Sequence, residues 1–558
     1  MAGGIILAAT SAVAQVLPGA VQPGRDRTGP TAPPQPDFDF SIVAPHRSAV
    51  PRAVDEVHFK LTGLKLTGAT TIPAEQFRPL YAGLIGKDVT LGDILDVADK
   101  IEAIYRARGY LLVRAYVPPQ RVRDGVFTIN IVEGHLGAVA VQGGDRRVKR
   151  LVRGYLRDAA AARPLTLPTM ERGLLLTNDI PGITASGVLK PSPDTPGASD
   201  LIVDVQQPFM TGGLAVDDRG SRFSGIWTVS GDVEFNSLFG ADQLAASVVS
   251  SPDSLEQIQG SLRYRTAIGD DGLIGTLTGT VTHGEPGSTL SAFGVLTDSW
   301  AAGGRLTYPL IRSRRETLLL DGGFTVQDAR VDVSGPVSHD QWRVIDLGGS
   351  YQRTDIFGNG LWTSTFDAAQ GLPIFGATPD TVINPVTHLE QPNPLLSRVG
   401  GTTAFTKLTG YTRLLLPLGG NFSTAFSAQG QYAFNRLITG EQIAFGGTLL
   451  GRGYDPGAIT GDDGLGGSAE LRYDFRFADS LVQGLEPYIY VDAAQAWYNG
   501  NDPSLKDQNI QSVGGGFRFW LAYNLTGALE GARTLHAVPG SDAYRESTKI
   551  LLDLAVRF

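Results

Sequence analysis

The stretch GSAELRYDFRF, residues 467–477, alternates between apolar and ionisable side chains. One side carries Leu471, Tyr473, Phe475 and Phe477, and the other carries Glu470, Arg472, Asp474 and Arg476. A row of four ionisable groups cannot enter an apolar core without a large desolvation cost, so that side must meet water. The aromatic side must meet something apolar. A strand with these two faces is typical of a membrane barrel wall, with lipid outside and water inside.

The same alternation recurs throughout the chain after Pro208. It appears in IQGSLRYRTAI (258–268) and in NFSTAFSAQGQYAF (421–434), and helical periodicity is absent from the remaining 558 − 208 = 350 residues. A soluble sandwich would accommodate one such strand. Many of them, separated by glycine-rich turns, favour an all-β transmembrane barrel over residues 209–558.

The last strand, STKILLDLAVRF (547–558), has one wholly apolar face that ends on Phe558. A terminal aromatic residue on the lipid face resembles the C-terminal insertion signal of bacterial outer-membrane barrels. We therefore expect Phe558 to serve as an insertion signal, with outer-membrane lipid and the barrel-assembly machinery as partners.

The N-terminal run MAGGIILAATSAVAQ predicts a signal peptide over residues 1–14, because Ala12-Val13-Ala14 offers a small-x-small cleavage site. A buried N-terminal helix is the alternative, since no basic segment precedes the run. Residues 15–53 are rich in proline and lack periodic apolar residues, which predicts a linker without packed elements.

Two α+β units precede the barrel, at 54–135 and 136–208. Each is predicted to follow the order strand, helix, helix, strand, strand. In the first unit, Thr90 and Asp93 form a capping box, and Gly109 stands where the helix ends. In the second, Asp145 is the expected N-cap of a helix.

Composition excludes several classes of function. The net charge of −9 and the pI near 5.4 argue against binding of nucleic acid. The absence of cysteine removes disulfides, thiol nucleophiles and cysteine metal sites. No segment has the 18 or so consecutive apolar residues of a spanning helix. GGTLLGRGYDPG and GDDGLGG lack the context of a phosphate-binding or calcium-binding loop. We expect neither enzymatic activity nor a cofactor.

Two further segments resemble a known family. GYLLVRAYVPPQRVRDGVFTINIVEGH (109–135) resembles the closing part of a POTRA domain, and FGGTLLGRGYDPGAITGDDGLGGSAELRY (445–473) is similar to the sixth extracellular loop of transporters that join POTRA domains to a barrel. With two POTRA units, the chain most resembles the two-partner secretion transporters, which export filamentous adhesins and haemolysins. The resemblance covers residues 54–558. It implies 16 antiparallel strands, POTRA 1 at 54–135 and POTRA 2 at 136–208.

The resemblance also implies a site. In this superfamily the loop folds back into the lumen, so the motif Arg452, Gly453 and Tyr454 is expected to touch the inner wall. An aspartate on a barrel strand is implied as the partner of the arginine, and Asp492 in EPYIYVDAAQAW (486–497) matches it. Alternation independently places Asp492 in the lumen. Glu470 and Asp474 are rival partners, and a surface loop with Asp492 bonded to its own wall is the alternative.

The sequence thus predicts an exporter in the bacterial outer membrane with its POTRA domains in the periplasm. Its client would be one large secreted exoprotein, bound unfolded by the POTRA domains and passed through the barrel pore. A barrel-assembly factor of the same superfamily and a passive pore are the alternatives.

Overall fold

A computed structural model describes residues 39–42, 58–122, 124–195, 197–252, 256–477, 480–500, 507–538 and 547–558. The predicted signal peptide, residues 1–14, lies outside the described residues. The predicted fold class is confirmed: two small α+β units precede a closed antiparallel barrel of 16 strands.

The first unit combines a three-stranded sheet, a strand pair and one long helix. Its sheet has the order β3-β6-β5, and β2 pairs with β4. The strands are β2 (His58–Lys60), β3 (Gly63–Thr67), β4 (Asp88–Thr90), β5 (Val113–Tyr116) and β6 (Val126–Glu133), and the helices are α1 (Arg78–Tyr81) and α2 (Leu91–Ala107). Short 3-10 turns lie at Ala74–Phe77 and Ala82–Leu84.

Helix α2 begins and ends as its sequence predicts. The Asp93 backbone N–H donates to Thr90 Oγ1 over 3.2 Å, and the Thr90 N–H donates to the Asp93 carboxylate over 2.8 Å. Gly109 follows the helix with φ +86°, a conformation that favours glycine. Its apolar face, including Ile94, Ile101 and Tyr105, is fully buried against the sheet.

Glu133, at the end of β6, fastens the segment before α1 to the sheet. Its carboxylate accepts hydrogen bonds from the backbone N–H groups of Thr70 and Thr71, each over 2.9 Å, and from Tyr105 Oη over 2.7 Å. Burial by itself would raise the pKa of Glu133, but the hydrogen bonds from Thr70, Tyr105 and Thr71 outweigh it and lower the pKa to about 2.

This depressed pKa predicts an acid-dependent stability of the first unit. The ionised form of Glu133 is favoured by folding, so its contribution is complete above the ordinary value of 4.5 and is lost as the pH falls toward about 2. Glu133→Ala should cost about 2 kcal/mol, as expected for hydrogen bonds to a charged group. Pepsin digestion of the detergent-solubilised full chain between these pH values measures the effect. A cleavage profile in Glu133→Ala with the same pH dependence as the parent chain would contradict the prediction.

The second unit has a four-stranded sheet covered by helices. The sheet order is β1-β8-β9-β7. The elements are β7 (His135–Gly143), α3 (Arg146–Tyr155), α4 (Arg157–Ala161), α5 (Leu167–Asn178), β8 (Thr184–Pro191) and β9 (Ala198–Gln206). Asp145 caps α3 as predicted, since its carboxylate accepts from the backbone N–H groups of Arg147 and Val148.

Strand β1 (Asp39–Ile42) corrects the prediction of a linker over 15–53 without packed elements. It pairs in parallel with β8, with Asp39 opposite Ser186 and Ile42 opposite Leu189. The segment DFSI lacks a long periodic pattern, but strand addition needs only backbone donors and acceptors at an open sheet edge. Four residues of the predicted linker therefore belong to the sheet of the second unit.

The remaining strands form the barrel and its outer loops. Sixteen barrel strands follow one another in chain order, with β25 and β26 together forming the twelfth. Strand β10 pairs with β30 to close the ring. The barrel strands are β10 (Met210–Asp217), β11 (Thr228–Asn236), β12 (Asp242–Ser250), β13 (Gln257–Ile268), β14 (Leu273–Gly284), β15 (Val295–Arg312), β16 (Glu316–Val333), β17 (Pro336–Ile356), β18 (Gly360–Gly371), β21 (Thr406–Gly419), β22 (Phe422–Ala433), β25 (Asp463–Tyr473) with β26 (Phe475–Arg476), β27 (Val482–Trp497), β28 (Gln508–Leu521), β29 (Leu525–Thr534) and β30 (Thr548–Arg557).

Two small hairpins lie in the loops between barrel strands. They pair β19 (Thr381–Ile383) with β20 (Glu390–Pro392), and β23 (Ile443–Phe445) with β24 (Ile459–Gly461). Short 3-10 turns also occur at Ser288–Phe293 and Thr439–Glu441.

The outside of the barrel is strongly apolar. Leu262, Leu277, Val281, Leu347 and Ile489 each expose between 58% and 67% of their surface. A continuous band of such side chains around a closed ring is the signature of a lipid-facing wall. Among the residues with described positions, no helix is both long enough and apolar enough to cross a membrane.

Phe558 lies at the seam where the barrel closes. Its backbone N–H donates to the Gly212 carbonyl over 3.0 Å, and the Gly212 N–H donates to the Phe558 carbonyl over 2.9 Å. The ring is 64% exposed on the outside of the wall. Phe558 thus adds a seam contact to its proposed role as insertion signal.

Deleting Phe558 should therefore lower barrel insertion. The loss comprises two backbone hydrogen bonds and the transfer of an aromatic ring into lipid, which is worth about 2 kcal/mol. We expect several-fold less heat-modifiable protein in outer-membrane fractions, with the aromatic control Phe558→Trp at the parent level. Equal yields from the deletion and the control would contradict the prediction.

The second unit packs directly against the periplasmic turns of the barrel. Its hydrophobic core continues into Ala241, Ala267 and Ile274, which belong to the barrel wall and its turns. Arg312 forms a two-pronged ion pair with Asp179 at the end of α5, with distances of 2.7 and 2.8 Å, and its side chain is almost fully buried. The second unit is thereby fixed beneath strands β11–β16.

Candidate functional site

The loop between β22 and β25, residues 434–462, enters the lumen and packs against the inner wall formed by β25 to β29. The hairpin of β23 and β24 forms its stem, and its apolar residues pack against the barrel at Ala494, Ala496 and Ile510. We call residues 434–462 the luminal loop. Its position agrees with the expectation that this segment folds back into the barrel.

Two glycines allow the tip to fit. Gly451 has φ +79°, and a Cβ there would lie 2.4 Å from Ile510 Cδ1. A Cβ on Gly453 would lie 3.1 Å from Ser512 Cβ, from Arg533 C and from Thr534 N. The motif residue Gly453 is therefore a point of close approach between the loop and strands β28 and β29.

Arg452 is held by the wall through several directional contacts. Its Nε and Nη2 donate to the two carboxylate oxygens of Asp492, both over 3.0 Å, and its backbone N–H donates to Asp492 Oδ2 over 3.1 Å. Asp492 is completely buried, and Arg452 is 7% exposed. The structure thus brings together the two residues that the sequence pairs, in the fork geometry that arginine makes with a carboxylate.

A second carboxylate and an aromatic ring complete the arginine's surroundings. Arg452 Nη1 donates to Glu470 Oε2 over 2.8 Å and lies 3.7 Å from Glu530 Oε2. The guanidinium carbon lies 3.2 Å from the centroid of the Tyr490 ring, a cation–π contact. Glu470, a rival in the sequence, is therefore an additional partner rather than an alternative. Asp474 has no contact with Arg452 within the described chain and instead pairs with Asn421 through the backbone.

Tyr454 fixes the other side of the tip. Its hydroxyl donates to the His536 carbonyl over 2.7 Å and lies 3.0 Å from the Gln511 carbonyl, and the ring is almost fully buried. The motif therefore contacts four consecutive parts of the wall, from β25 to the end of β29. In the structure the tip of the loop lies against the inner wall rather than at the surface, which is the alternative that the sequence leaves open.

A charged network surrounds the arginine and reaches the barrel seam. Arg518 bridges Glu470 and Glu486, Arg472 pairs with Glu470, and Arg219 joins Glu530 to Asp553 of β30. Sequence reasoning missed Glu530 and Tyr490 as contacts of Arg452. Alternation in GALEGAR (527–533) could have placed Glu530 in the lumen, but not at the height of Asp492.

The outer end of the luminal loop is also tied down. Asp462 is fully buried and forms an ion pair with Arg398, which belongs to the neighbouring loop. Glu441 accepts a hydrogen bond from Trp342 Nε1 over 2.6 Å and pairs with Lys407 over 2.6 Å. Asp455, next to the motif, pairs with Lys549 of β30.

The opposite side of the lumen is open and lined by small hydroxyl side chains. A cavity of about 570 Å³ lies there. We call seven of its lining residues the hydroxyl wall: Ser247, Ser261, Thr278, Thr280, Thr282, Ser299 and Thr325. These residues lie on strands β12 to β16, about half-way round the barrel from the strands that contact Arg452. Asp232, Glu234, Arg263 and Arg557 also line the cavity.

One carboxylate cluster has the composition of a cation site but already holds a cation. Ligand atoms of Asp321, Asp346 and Asp367 lie within 4.8 Å of one another. Arg305 lies among them, 2.7 Å from Asp346 and in contact with Asp321. The guanidinium neutralises the cluster, which makes it a structural ion-pair network.

Comparison with known proteins agrees with this architecture. The family described as haemolysin secretion/activation protein ShlB/FhaC/HecB matches residues 197–519, and the ShlB-type POTRA domain matches residues 59–134. The heme/hemopexin transporter protein HuxB of Haemophilus influenzae (strain 86-028NP) is 23% identical, over 83% of this chain and 81% of its own length. The outer membrane transporter CdiB of Dickeya dadantii is 27% identical over 33% of each chain.

Solved structures share the fold at lower identity. CdiB from Escherichia coli aligns with a TM-score of 0.67 and 19% identity, over 92% of this chain and 93% of that one. BamA from Haemophilus ducreyi lacking POTRA domains 1–3 aligns with a TM-score of 0.53 and 13% identity, over 90% of this chain and 100% of that one. The family match covers more than half of the sequence, and the barrel and the POTRA fold agree with it. The chain therefore belongs to the ShlB/FhaC/HecB family of two-partner secretion transporters, and it is an outer-membrane protein whose POTRA domains lie in the periplasm.

Proposed function

We propose that this protein exports one large exoprotein through its barrel in unfolded form and catalyses no covalent reaction. The observation that carries the proposal is the divided lumen, in which a buried loop is fixed to one wall and a polar cavity lies against the other. The POTRA units would receive the client in the periplasm, and the cavity would mark its path.

The sheet edges of the POTRA units suit an extended client. In the first unit, β3 and β5 are the edge strands of the three-stranded sheet, and in the second, β7 is an edge. An extended polypeptide can add to such an edge through backbone hydrogen bonds, which impose little demand on its sequence. Strand β1 already occupies the β8 edge, so a client binding at that edge would have to displace it.

The hydroxyl wall suits the passage of unfolded chain. Small Ser and Thr side chains offer hydrogen bonds to a passing backbone without presenting a large apolar surface. The four charged residues that also line the cavity form two ion pairs, Arg263 with Glu234 and Arg557 with Asp232. The cavity of about 570 Å³ is too small for a folded domain. Export therefore requires the luminal loop to release part of the lumen, with folding of the client outside supplying direction.

The names of the relatives favour export but do not identify a client. HuxB is named for heme and hemopexin, and CdiB is named an outer membrane transporter. A barrel-assembly role is the second candidate, because BamA shares the fold. Two POTRA units beneath a sealed barrel seam, with β10 paired to β30, favour a pore that works with its wall closed.

The test is co-expression of the chain with candidate large exoproteins, asking which one reaches the medium only in its presence. The matched control is the same strain with Arg452→Ala at equal outer-membrane level. Export that depends on the chain supports the proposal. A fall in the amounts of other outer-membrane barrels on deletion, without any exported client, would indicate barrel assembly. Ion conductance with no client in the medium would indicate a passive pore.

A further inference from the structure

Helix α3 of the second POTRA unit is unusually basic for this acidic protein. The segment DRRVKRLVRGYLR, residues 145–157, carries six Lys and Arg residues and one Asp, whereas the whole chain has a net charge of −9. The apolar residues of the helix, including Val148 and Leu151, are buried in the core of the unit. The cations therefore gather on the remaining surface of one short helix.

Among the residues that the structure describes, only one of these six cations forms an ion pair, and four make neither an ion pair nor the barrel contact of Arg147. Arg157 pairs with Asp270 of a barrel turn, and Arg147 Nη2 donates to the Ala267 carbonyl over 2.9 Å. No carboxylate within the described part of the chain forms an ion pair with the other four, which are Arg146, Lys149, Arg150 and Arg153. The three arginines are exposed, and Lys149 is half-buried.

Helix α3 lies along the rim of the barrel. At its first turn, a Cβ on Gly240 in the turn before β12 would lie 3.0 Å from Asp145 and 3.2 Å from Arg147. At its last turn, a Cβ on Gly154 would lie 2.8 Å from Asp270 in the next periplasmic turn. Because its two ends touch two neighbouring turns of the same rim, the helix axis runs roughly parallel to the membrane plane.

The unpaired arginines face the lipid side of this rim. Val148 and Leu151 share a core with Ala267 and Ile274, whose side chains point into the barrel. Viewed along the helix axis, Arg147 lies beside Leu151, and its guanidinium donates to Thr266 Oγ1. Thr266 precedes Ala267 in the same strand, so its side chain points out of the barrel. Successive residues of a helix are rotated by about 100° about its axis. Viewed along that axis, Arg150, Arg146 and Arg153 lie about 60°, 100° and 120° from Arg147, on the side away from Leu151.

The neighbouring barrel surface carries the apolar side chains of a membrane boundary. Phe239 is 77% exposed, and its ring contacts that of Tyr264, which points outward on β13. Such aromatic residues form the girdle of outer-membrane barrels at the level of the lipid headgroups. The first turn of α3 touches Gly240, the residue after Phe239, so the cations of this helix lie near that level. Electrostatic attraction acts there over a Debye length of ~10 Å at about 0.1 M salt.

We propose that Arg146, Arg150 and Arg153, with Lys149 beside them, bind the headgroups of anionic phospholipids in the periplasmic leaflet of the outer membrane. We call these four residues the cationic face. The lipid phosphates would supply counter-ions, which the described part of the chain does not provide. This contact would hold the second POTRA unit against the membrane as well as against the barrel.

The test measures lipid binding to the full-length protein in detergent by native mass spectrometry. Phosphatidylglycerol is the anionic probe, and phosphatidylcholine is the zwitterionic reference. A cation near an anionic lipid surface is worth about fivefold in binding, so R146Q/R150Q/R153Q should lose at least about tenfold in apparent affinity for phosphatidylglycerol. The control K65Q/K87Q/K100Q removes three exposed cations from the first unit and should bind as the parent chain does.

Two further measurements separate charge from structure. R146K/R150K/R153K keeps the charge and should retain binding within about threefold of the parent chain. Raising the salt from about 0.1 M to about 1 M shortens the Debye length to ~3 Å and should abolish the preference for phosphatidylglycerol.

Three outcomes would overturn the proposal. The first is equal loss of phosphatidylglycerol binding in the first-unit control, which would show a nonspecific charge effect. The second is displacement of the lipid by glycerol phosphate alone, which would show a site for soluble phosphate. The third is unchanged lipid binding in R146Q/R150Q/R153Q together with lost binding of an acidic unfolded peptide, which would assign the face to the client.

Discussion

Replacing Arg452 with alanine should leave a folded, membrane-inserted barrel and lower client export by at least about tenfold, because removing one partner of a buried ion pair costs about 3–5 kcal/mol. The substitution leaves Asp492, which is completely buried, without its guanidinium partner. Glu470 keeps Arg472 and Arg518, and Glu530 keeps Arg219, so the rest of the network and the barrel seam persist. The measurements are heat-modifiable mobility for the barrel and client in the medium for export.

Matched variants separate the loop contact from the loss of any arginine. Arg315→Ala removes an arginine whose side chain is 77% exposed and pairs with Asp355 in a periplasmic turn, and it should export normally. Arg452→Lys keeps the charge but loses the fork contact and should give intermediate export. The reversed pair R452D/D492R should not restore export, because it places a carboxylate beside Glu470 and Glu530. Normal export by Arg452→Ala would remove the role proposed for the motif.

Locking the luminal loop to the wall should block export reversibly. A Cβ on Gly453 would lie 3.1 Å from Ser512 Cβ, close to the ~3.8 Å typical of a disulfide. The chain has no native cysteine, so G453C/S512C offers one possible intramolecular bridge. We expect the oxidised form to export at least about tenfold less than the reduced form, since a fixed loop continues to fill its half of the lumen.

The reduced double variant is the internal control for this experiment. A side chain at position 453 also approaches Arg533 and Thr534 closely, so the reduced form measures that steric cost by itself. The single variants G453C and S512C should not respond to oxidant. Equal export by the oxidised and reduced forms would mean that the loop stays on the wall while the client passes, and the proposed rearrangement would be wrong.

Local rules recovered much of the α+β part from the sequence. The capping box of α2, its buried face and the glycine after it depend on contacts within a few residues, and the structure has all of them. Strand β1 was missed for the opposite reason. Its pairing depends on an open edge some 145 residues away along the chain, about which the segment DFSI itself carries no information.

The residues of the barrel site likewise have some features that the sequence predicts and others that depend on distant parts of the chain. A period of two fixes the side of the wall on which a residue lies, so alternation alone placed Asp492, Glu470 and Asp474 in the lumen. Alternation does not determine how far along the barrel axis each of these residues lies. The register Ser468 opposite Asp492 and Glu470 opposite Tyr490 puts Glu470 beside the arginine. Asp474 lies beyond the paired part of β25, next to the periplasmic turn.

Residues close together in the chain account for the apolar and polar faces of the strands, for the first turns of α2 and α3 and for the end of α2, so these features could be predicted from the sequence. The folded barrel alone reveals that Glu470 and Tyr490 join Asp492 around Arg452, that Glu530 lies beside it, and that the hydroxyl wall faces them across the lumen. Those contacts depend on strand register and on closure of the ring between β10 and β30, and register is a property of paired strands rather than of any one of them.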